Sequence, residues 1–145
     1  MSEPHDLTLA LLERELSAAG HDPRCRFHGE EPFVAIVDLP RSRSRGRFFP
    51  SRNAILVAAR PGDREVTLAT VNHERAHAAM YVKTCGGTSP GRLRACGYVG
   101  DHTRRFYEVL ERMHRTERVS PRAARIVEEG GGYKYPNRWM GEEWR

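Results

Sequence analysis

The sequence predicts a single-domain α+β fold, in which a small antiparallel sheet of about three strands packs on helices. Apolar residues recur at three- and four-residue steps near the N-terminus and again in the second half of the chain. Two short β-branched and aromatic runs lie between these helical segments. A length of 145 residues suits one compact domain with one core. We therefore look for a single functional site.

The first half of the chain contains one predicted helix and the predicted strands. Leucines and alanines at mostly helical intervals predict a helix over residues 6–19, which "GHDP" then ends. Strands follow at residues 32–40 ("PFVAIVDLP") and 52–62 ("RNAILVAARPG"), each next to turn-forming residues. Between them, residues 41–49 have arginine at alternate positions, which an extended chain presents on one face. We expect a hairpin arm here, with a third strand near 46–49.

A second helix is predicted over residues 65–83, and Asp63 is a suitable N-cap for it. Residues at three- and four-residue steps define its inward face, and both His73 and His77 fall on that face. The following residues, 84–100, contain several glycines and a proline. They predict a loop that is longer than a bare connection needs.

The last predicted helices follow this loop. Asp101 can cap a helix that runs to about Thr116, with an apolar face of aromatic and aliphatic residues. A short helix then opens the tail, which continues through three glycines. We expect residues 1–120 to form the functional domain and residues 121–145 to form a C-terminal extension.

Composition limits the class of protein. The longest apolar runs are far shorter than a membrane span, and the acidic N-terminus lacks the basic patch of a secretory signal. Three cysteines without a Cys-x-x-Cys pair favour reduced thiols over a bridge between Cys85 and Cys96. We expect a cytoplasmic protein that does not enter membranes. The net charge of +5 permits a nucleic-acid partner without requiring one, because an arginine bias can also reflect the base composition of a gene.

The stretch "NHERAHAAMY", residues 72–81, carries the clearest chemical signal. On an α-helix, His73 and His77 lie one turn apart with Cβ atoms about 5–6 Å from each other, so both imidazoles can bind one metal ion. Glu74 lies about 100° around the helix from His73, where it can act as a base towards a water activated by zinc. The alternative is that both histidines are hydrogen-bonded on a polar helix face. A catalytic site of this kind needs a third protein ligand.

Several residues after the loop are candidates for the third ligand. His102 is favoured because it stands at the start of the following helix, where the long loop can bring it back to the motif helix. His114 is three turns further on, roughly 18 Å along the axis. Glu108 and Glu111 are alternatives, because carboxylates serve as third ligands in other metallopeptidases.

The order of these segments resembles a known family. Helix, strands, "TLATVNHERAHAAMY", a loop and "GDHTRRFYEVLERM" are similar to the SprT-like zinc metallopeptidases over roughly residues 6–118. The resemblance implies a zincin-like active-site helix and one zinc ion (Zn²⁺) bound by His73, His77 and His102. It also implies that Glu74 is the general acid and base.

The resemblance implies two further properties, and the chain departs from the family pattern in two places. It implies that Phe106 packs the third-ligand helix against the core. It also implies DNA as a partner, because several relatives degrade proteins crosslinked to DNA. The residue after the third histidine is Thr103, where many members carry glycine. No cysteine follows Cys96, so the C-terminal zinc ribbon of many relatives is missing and we expect no second zinc ion.

Two sets of nearby residues each have two interpretations. Tyr81 and Tyr107 are candidate hydrogen-bond donors to the oxyanion that forms during hydrolysis, or tyrosines that pack in the core. The alternating arginines are candidate nucleic-acid contacts, or members of a solvated hairpin. These arginines are Arg41, Arg43, Arg45 and Arg47.

Together these features predict a zinc-dependent metallopeptidase that hydrolyses peptide bonds in a protein or peptide substrate. The resemblance implies DNA-associated or DNA-crosslinked proteins as substrates, and hence a role in DNA repair. One alternative is a regulatory peptidase that cuts a transcriptional repressor. Another is a non-catalytic nucleic-acid-binding module, in which zinc is structural and Glu74 is idle. The sequence leaves the oligomeric state open.

Overall fold

Four helices and three strands make up the part of the chain described by the computed structural model, residues 6–59, 62–85 and 102–130. None of these helices is long and apolar enough to cross a membrane. The predicted α+β class is confirmed, and each predicted helix and strand is present with bounds that differ by a few residues. In chain order the elements are α1 (Leu9–Ala18), β1 (Phe33–Asp38), β2 (Gly46–Phe49), a 3-10 turn (Pro50–Arg52), β3 (Ala54–Ala59), α2 (Arg64–Cys85), α3 (Arg104–Thr116) and α4 (Pro121–Gly130).

Part of the predicted organisation lies outside the described residues. The predicted loop begins inside α2, which continues to Cys85, and its remainder is not described. The same holds for Cys96 and for the tail from 131 onwards. The prediction that Asp101 caps the helix after the loop is wrong, because α3 begins only at Arg104 and its N-cap is Thr103.

The sheet is mixed, so the prediction of an antiparallel sheet is wrong for one of its two pairings. The strand order is β1-β3-β2, with β1 parallel to β3 and β2 antiparallel to β3. The physical reason is β3, which is buried on both faces along nearly its whole length and therefore suits the centre of a sheet. The 3-10 turn connects β2 to β3 and places them side by side. The earlier strand, β1, pairs with the other edge of β3. The predicted hairpin is thus formed by β2 and β3.

Each face of the sheet is covered by a helix. Successive side chains on a strand point to opposite faces. One set, which includes Phe49 and Leu56, packs against the leucines of α1. The other set, which includes Ile55 and Val57, packs with Val71 of α2. Apolar clusters on other sides of α2 join it to α3 and to α4, so α2 lies between the sheet and these two helices.

α4 lies in the segment that the sequence predicts as a C-terminal extension, and it packs along α2. The backbone N–H of Ser120 donates to the side chain of Glu65 at 2.7 Å, which fixes the start of α4 beside the start of α2. Val127 of α4 shares an apolar cluster with Val66 of α2. Asp63 caps α2 as predicted, because its side chain accepts a hydrogen bond from the backbone N–H of Val66 at 3.0 Å.

β2 approaches α2 closely at Gly46. A Cβ atom at this position would lie 2.8 Å from Cγ2 of Thr70 and 2.9 Å from Cγ of Glu74. Both distances are shorter than a normal contact between carbon atoms, so glycine is what allows the strand to pass this near the helix. An edge of the sheet therefore lies directly beside Glu74.

Gly46→Ala is expected to destabilise the fold and to displace Glu74. The added methyl group overpacks the contact between β2 and α2, which lowers the free energy of unfolding by about 1–3 kcal/mol. Urea denaturation of the wild type and the variant measures this loss. Thr70→Ser removes Cγ2 but keeps the hydroxyl group that donates to the Val66 carbonyl oxygen. Added to Gly46→Ala, it should restore part of the stability; a Gly46→Ala variant as stable as the wild type would contradict the close approach.

Candidate metal centre

Three histidines bring one ring nitrogen each to a common point. The Nε2 atoms of His73 and His77 are 3.2 Å apart, and Nε2 of His102 is 3.1 Å from each of them. Among the described residues, these three side chains form a group whose ligand atoms could hold a metal ion. The motif histidines therefore meet the histidine that the sequence favours as their third partner.

Helix geometry accounts for this convergence. His73 and His77 are one turn apart on α2. His102 directly precedes Thr103, which caps α3 by accepting a hydrogen bond from the backbone N–H of Phe106 at 3.3 Å. Threonine is a good N-cap because its hydroxyl oxygen satisfies an N–H group of the first turn. The departure at Thr103 from the glycine of many SprT-like proteins therefore has a local function and leaves His102 at the cluster.

The ring of Phe106 contacts all three imidazoles. Its centroid is 5.1 Å from that of His73, 4.5 Å from that of His77 and 4.8 Å from that of His102. Phe106 is fully buried and shares an apolar cluster with Ala76 of α2. It thus packs the start of α3 against the core, as the resemblance implies.

A carboxylate from α4 binds the other nitrogen of the His73 ring. Nδ1 of His73 lies 2.5 Å from Oε2 of Glu128, and Glu128 is only 1% exposed. An ionised carboxylate only accepts hydrogen bonds, so the ring donates its Nδ1–H and, when neutral, keeps a lone pair on Nε2. That lone pair is on the nitrogen that meets His77 and His102.

Glu74 lies beside the cluster and next to the sheet. Its Oε1 atom is 4.0 Å from Nε2 of His73, and the residue is only 7% exposed. Burial raises the pKa of Glu74 to about 7; the charge of Glu128 acts in the same direction, while His73 and a hydrogen bond from the backbone N–H of Phe48 oppose it. A carboxyl group with a pKa near neutrality can both take up and release a proton.

The electrostatics of the motif histidines differ. Burial lowers the pKa of His77 to about 3, and the neighbouring His73 and His102 act in the same direction. Burial also opposes the charged form of His73. The hydrogen bond and charge of Glu128, with the charge of Glu74, outweigh this effect and raise the pKa of His73. His77 is therefore a neutral ring at pH 7 and offers a lone pair to a cation.

The donor set fits a tetrahedral metal ion. Three nitrogen ligands about 2.0–2.1 Å from one ion at tetrahedral angles lie about 3.3–3.4 Å from each other. The Nε2 atoms, at 3.1 and 3.2 Å, are close to this spacing. Imidazole nitrogen suits zinc and similar transition metals, whereas magnesium and calcium prefer oxygen. Three protein ligands leave a position for water or substrate, as catalytic sites do.

The alternative third ligands have other contacts. His114 is buried, and its Nδ1 accepts a hydrogen bond from Nδ2 of Asn72 at 3.1 Å. Glu108 and Glu111 form ion pairs with arginines of α3. Among these candidates, only His102 joins the two motif histidines within the described residues.

Both candidate tyrosines are buried. The Tyr81 ring is 5.9 Å from that of Phe48 in β2, and the Tyr107 ring is 6.3 Å from that of His102. Tyr81 therefore lies beside the sheet edge, and Tyr107 lies next to the cluster. A role for either phenol at the oxyanion stays a prediction.

The four arginines of the arm do not share one extended face. Only Arg47 lies in β2. The other three arginines precede this strand, in a segment that contains turns and bends. Arg47 has contacts within the fold, since its Nη1 donates to the Leu7 carbonyl oxygen at 3.1 Å and its guanidinium lies 4.5 Å from the Phe49 ring centroid. Arg41 and Arg43 are exposed, and Arg45 is half-buried. Nucleic-acid contact by this set stays a prediction.

Glu128 is a site residue that sequence reasoning missed. It is 55 positions from His73 in the chain, and no motif links the two. One signal was present: Ala124 and Val127 define the buried face of α4, and Glu128 follows Ala124 by four residues on the same face. A carboxylate on an apolar helix face needs a partner, although the sequence does not say which.

His114 predicts a loss of stability in mild acid. Burial lowers its pKa to about 3, from 6.5 for an exposed histidine, so below pH 6.5 the unfolded chain binds a proton that the folded chain does not. The free energy of unfolding therefore falls as the pH decreases from 6.5 towards 3, by about 2 kcal/mol between pH 7 and pH 5 for this group alone. Urea denaturation with a chelator present should show a smaller loss for His114→Asn. Equal losses of unfolding free energy in His114→Asn and the wild type would contradict the assignment of this pH dependence to His114.

Comparison with known proteins gives no match. No protein-family model, no curated protein and no solved structure is similar enough to this chain to be matched to it.

Proposed function

We propose that this protein is a zinc-dependent metallopeptidase of the SprT-like kind, with one zinc ion held by His73, His77 and His102. One observation carries the proposal: three imidazole nitrogens lie 3.1–3.2 Å from one another, and the buried carboxylate of Glu74 lies beside them. Such a set combines metal ligands with a base, which is what metal-assisted hydrolysis needs. The order of motif helix, connecting segment and third-histidine helix supports the family.

Glu74 moves the proton in this proposal. A zinc ion at the cluster would supply Lewis acidity to a water molecule and to the substrate carbonyl group. Glu74 would take a proton from a water molecule as the water oxygen bonds to the carbonyl carbon, because Glu74 Oε1 lies 4.0 Å from Nε2 of His73, one of the proposed ligand atoms. As the peptide C–N bond breaks, Glu74 gives this proton to the departing amine nitrogen.

The presence of Glu74 also supports a catalytic role for the proposed zinc site over a purely structural one. Structural sites use four protein ligands, and three are present among the described residues. A buried carboxylate beside the cluster is unfavourable for folding, as its raised pKa reflects. A module that only bound nucleic acid would not need a base beside the cluster.

The outer edge of β2 suits an extended peptide substrate. The Arg45 carbonyl oxygen accepts a hydrogen bond from the Ala58 N–H of β3 at 2.7 Å. In this antiparallel pair the intervening residues, Gly46 and Phe48, therefore turn their backbone groups away from β3. The Phe48 N–H donates to Glu74, so the Gly46 groups and the Phe48 carbonyl oxygen are the ones that face an added peptide. No described strand pairs with that edge, which passes Glu74. A peptide that adds to this edge is recognised mainly by its backbone.

The proposed substrates are unfolded or DNA-associated proteins, including proteins crosslinked to DNA. Backbone recognition at a sheet edge supports a broad choice of protein substrate. The net charge of +5 and the exposed Arg41 and Arg43 support DNA as a partner.

Glu74→Gln is expected to lower peptidase activity by at least about 100-fold, because the amide cannot accept and return the proton. The variant should remain folded and bind zinc as the wild type does. Hydrolysis of an unfolded protein, with and without single-stranded DNA, measures activity, and metal analysis measures zinc. Glu108→Gln makes the same chemical change at an exposed position and should leave activity unchanged. Undiminished proteolysis by Glu74→Gln would rule out the mechanism.

His102→Ala is expected to lower zinc content after dialysis, because two imidazoles hold an ion much less tightly than three. His114→Asn is the matched control, since His114 lies on α3, the helix that His102 precedes, and outside the cluster. It should retain about one zinc ion per chain. Full zinc retention by folded His102→Ala would remove His102 from the site.

A further inference from the structure

Glu128 is a buried carboxylate that the proposed chemical steps do not use. It lies near the end of α4 and is 1% exposed. Its carboxylate contacts the ring of His73, which lies on α2. We propose that Glu128 is a positioning residue of the metal centre, which holds the His73 ring with Nε2 at the cluster. This inference rests on the proposed function, and it assigns to α4 a part in metal binding.

The contact geometry supports this role. Oε2 of Glu128 lies 2.5 Å from Nδ1 of His73, while Nε2 of the same ring lies 3.1–3.2 Å from the other two histidines. The two nitrogens of the ring thus have different partners. Binding at Nδ1 fixes both the rotation of the ring and the nitrogen that keeps the lone pair. A carboxylate on the Nδ1 side also increases the basicity of Nε2.

Glu128 acts through His73 rather than as a ligand of its own. The three Nε2 atoms form a group that could hold an ion, and this group does not include the Glu128 carboxylate. By contrast, Glu74 faces the Nε2 side of the same ring at 4.0 Å. The two carboxylates therefore have separate roles. Glu74 lies on the Nε2 side of the His73 ring, where the proposed reaction takes place, and Glu128 contacts the Nδ1 side.

The fold does not need Glu128 to attach α4. The start of α4 is held by the hydrogen bond from Ser120 to Glu65, and its middle is held by the apolar contacts of Val127. An alanine or leucine on this buried face would avoid the unfavourable burial of a charge. The position of the carboxylate is therefore explained by its contact with His73.

Zinc affinity of the full chain tests the inference. Competition with a chromophoric chelator should give a dissociation constant about 10- to 100-fold higher for Glu128→Ala than for the wild type. Glu128→Gln keeps an acceptor for the Nδ1–H and should show a smaller increase. Glu129→Gln changes an exposed neighbour on the same helix and should leave the constant unchanged. Circular dichroism of the metal-free chains checks that each is folded.

The possible outcomes separate this inference from the proposed function. Unchanged zinc affinity in folded Glu128→Ala would overturn the role of Glu128 and leave the proposed peptidase intact. Absence of zinc binding by the wild type would overturn both.

A measurement on the wild type covers the case in which the Glu128 variants do not fold. Nitrogen-15 NMR of histidine-labelled, zinc-loaded protein reports which ring nitrogen of His73 carries a proton. We expect a proton on Nδ1 that exchanges slowly with water, because it is buried against Glu128. A His73 ring protonated on Nε2, or unprotonated on Nδ1, would overturn the inference whatever the variants do.

Discussion

Burial of α2 between the sheet and the two later helices is the constraint on which the site depends. Successive residues of a helix point about 100° apart. For a helix enclosed in this way, neighbouring side chains therefore meet different parts of the fold. His73 meets α4 and the start of α3, whereas Glu74 meets β2. His73 and Glu74 are adjacent in the chain, yet they are thus held by separate elements of the fold.

Most of the fold could be predicted from local patterns. The helices follow from three- and four-residue periodicity and from caps such as Asp63, and the strands follow from short β-branched runs. These local patterns predict an antiparallel sheet for strands that are close in sequence, and they do not reveal the parallel pairing of β1 with β3. The run "AILVAA" contained the correcting signal, since a strand apolar on both faces belongs at the centre of a sheet.

The site was predictable only where its geometry is local. His73, Glu74 and His77 lie within one helical turn, so their spacing alone predicts where they point. His102 could be ranked first because it stands at a helix start, although its arrival at the cluster requires α3 to pack on α2 through Phe106. Glu128 could not be assigned a partner, since a contact across 55 positions depends on how α4 docks.

The wide separation of these residues along the chain has a consequence for folding. The histidine cluster and Glu128 come from α2, from the residue before the cap of α3 and from the end of α4, so no single segment contains all of these residues. An unfolded chain, or an intermediate in which α4 has not yet docked, presents scattered imidazoles with weak affinity for metal. The proposed binding of an ion would therefore be a cooperative property of the folded domain. A newly synthesised chain would acquire it only after α4 has docked.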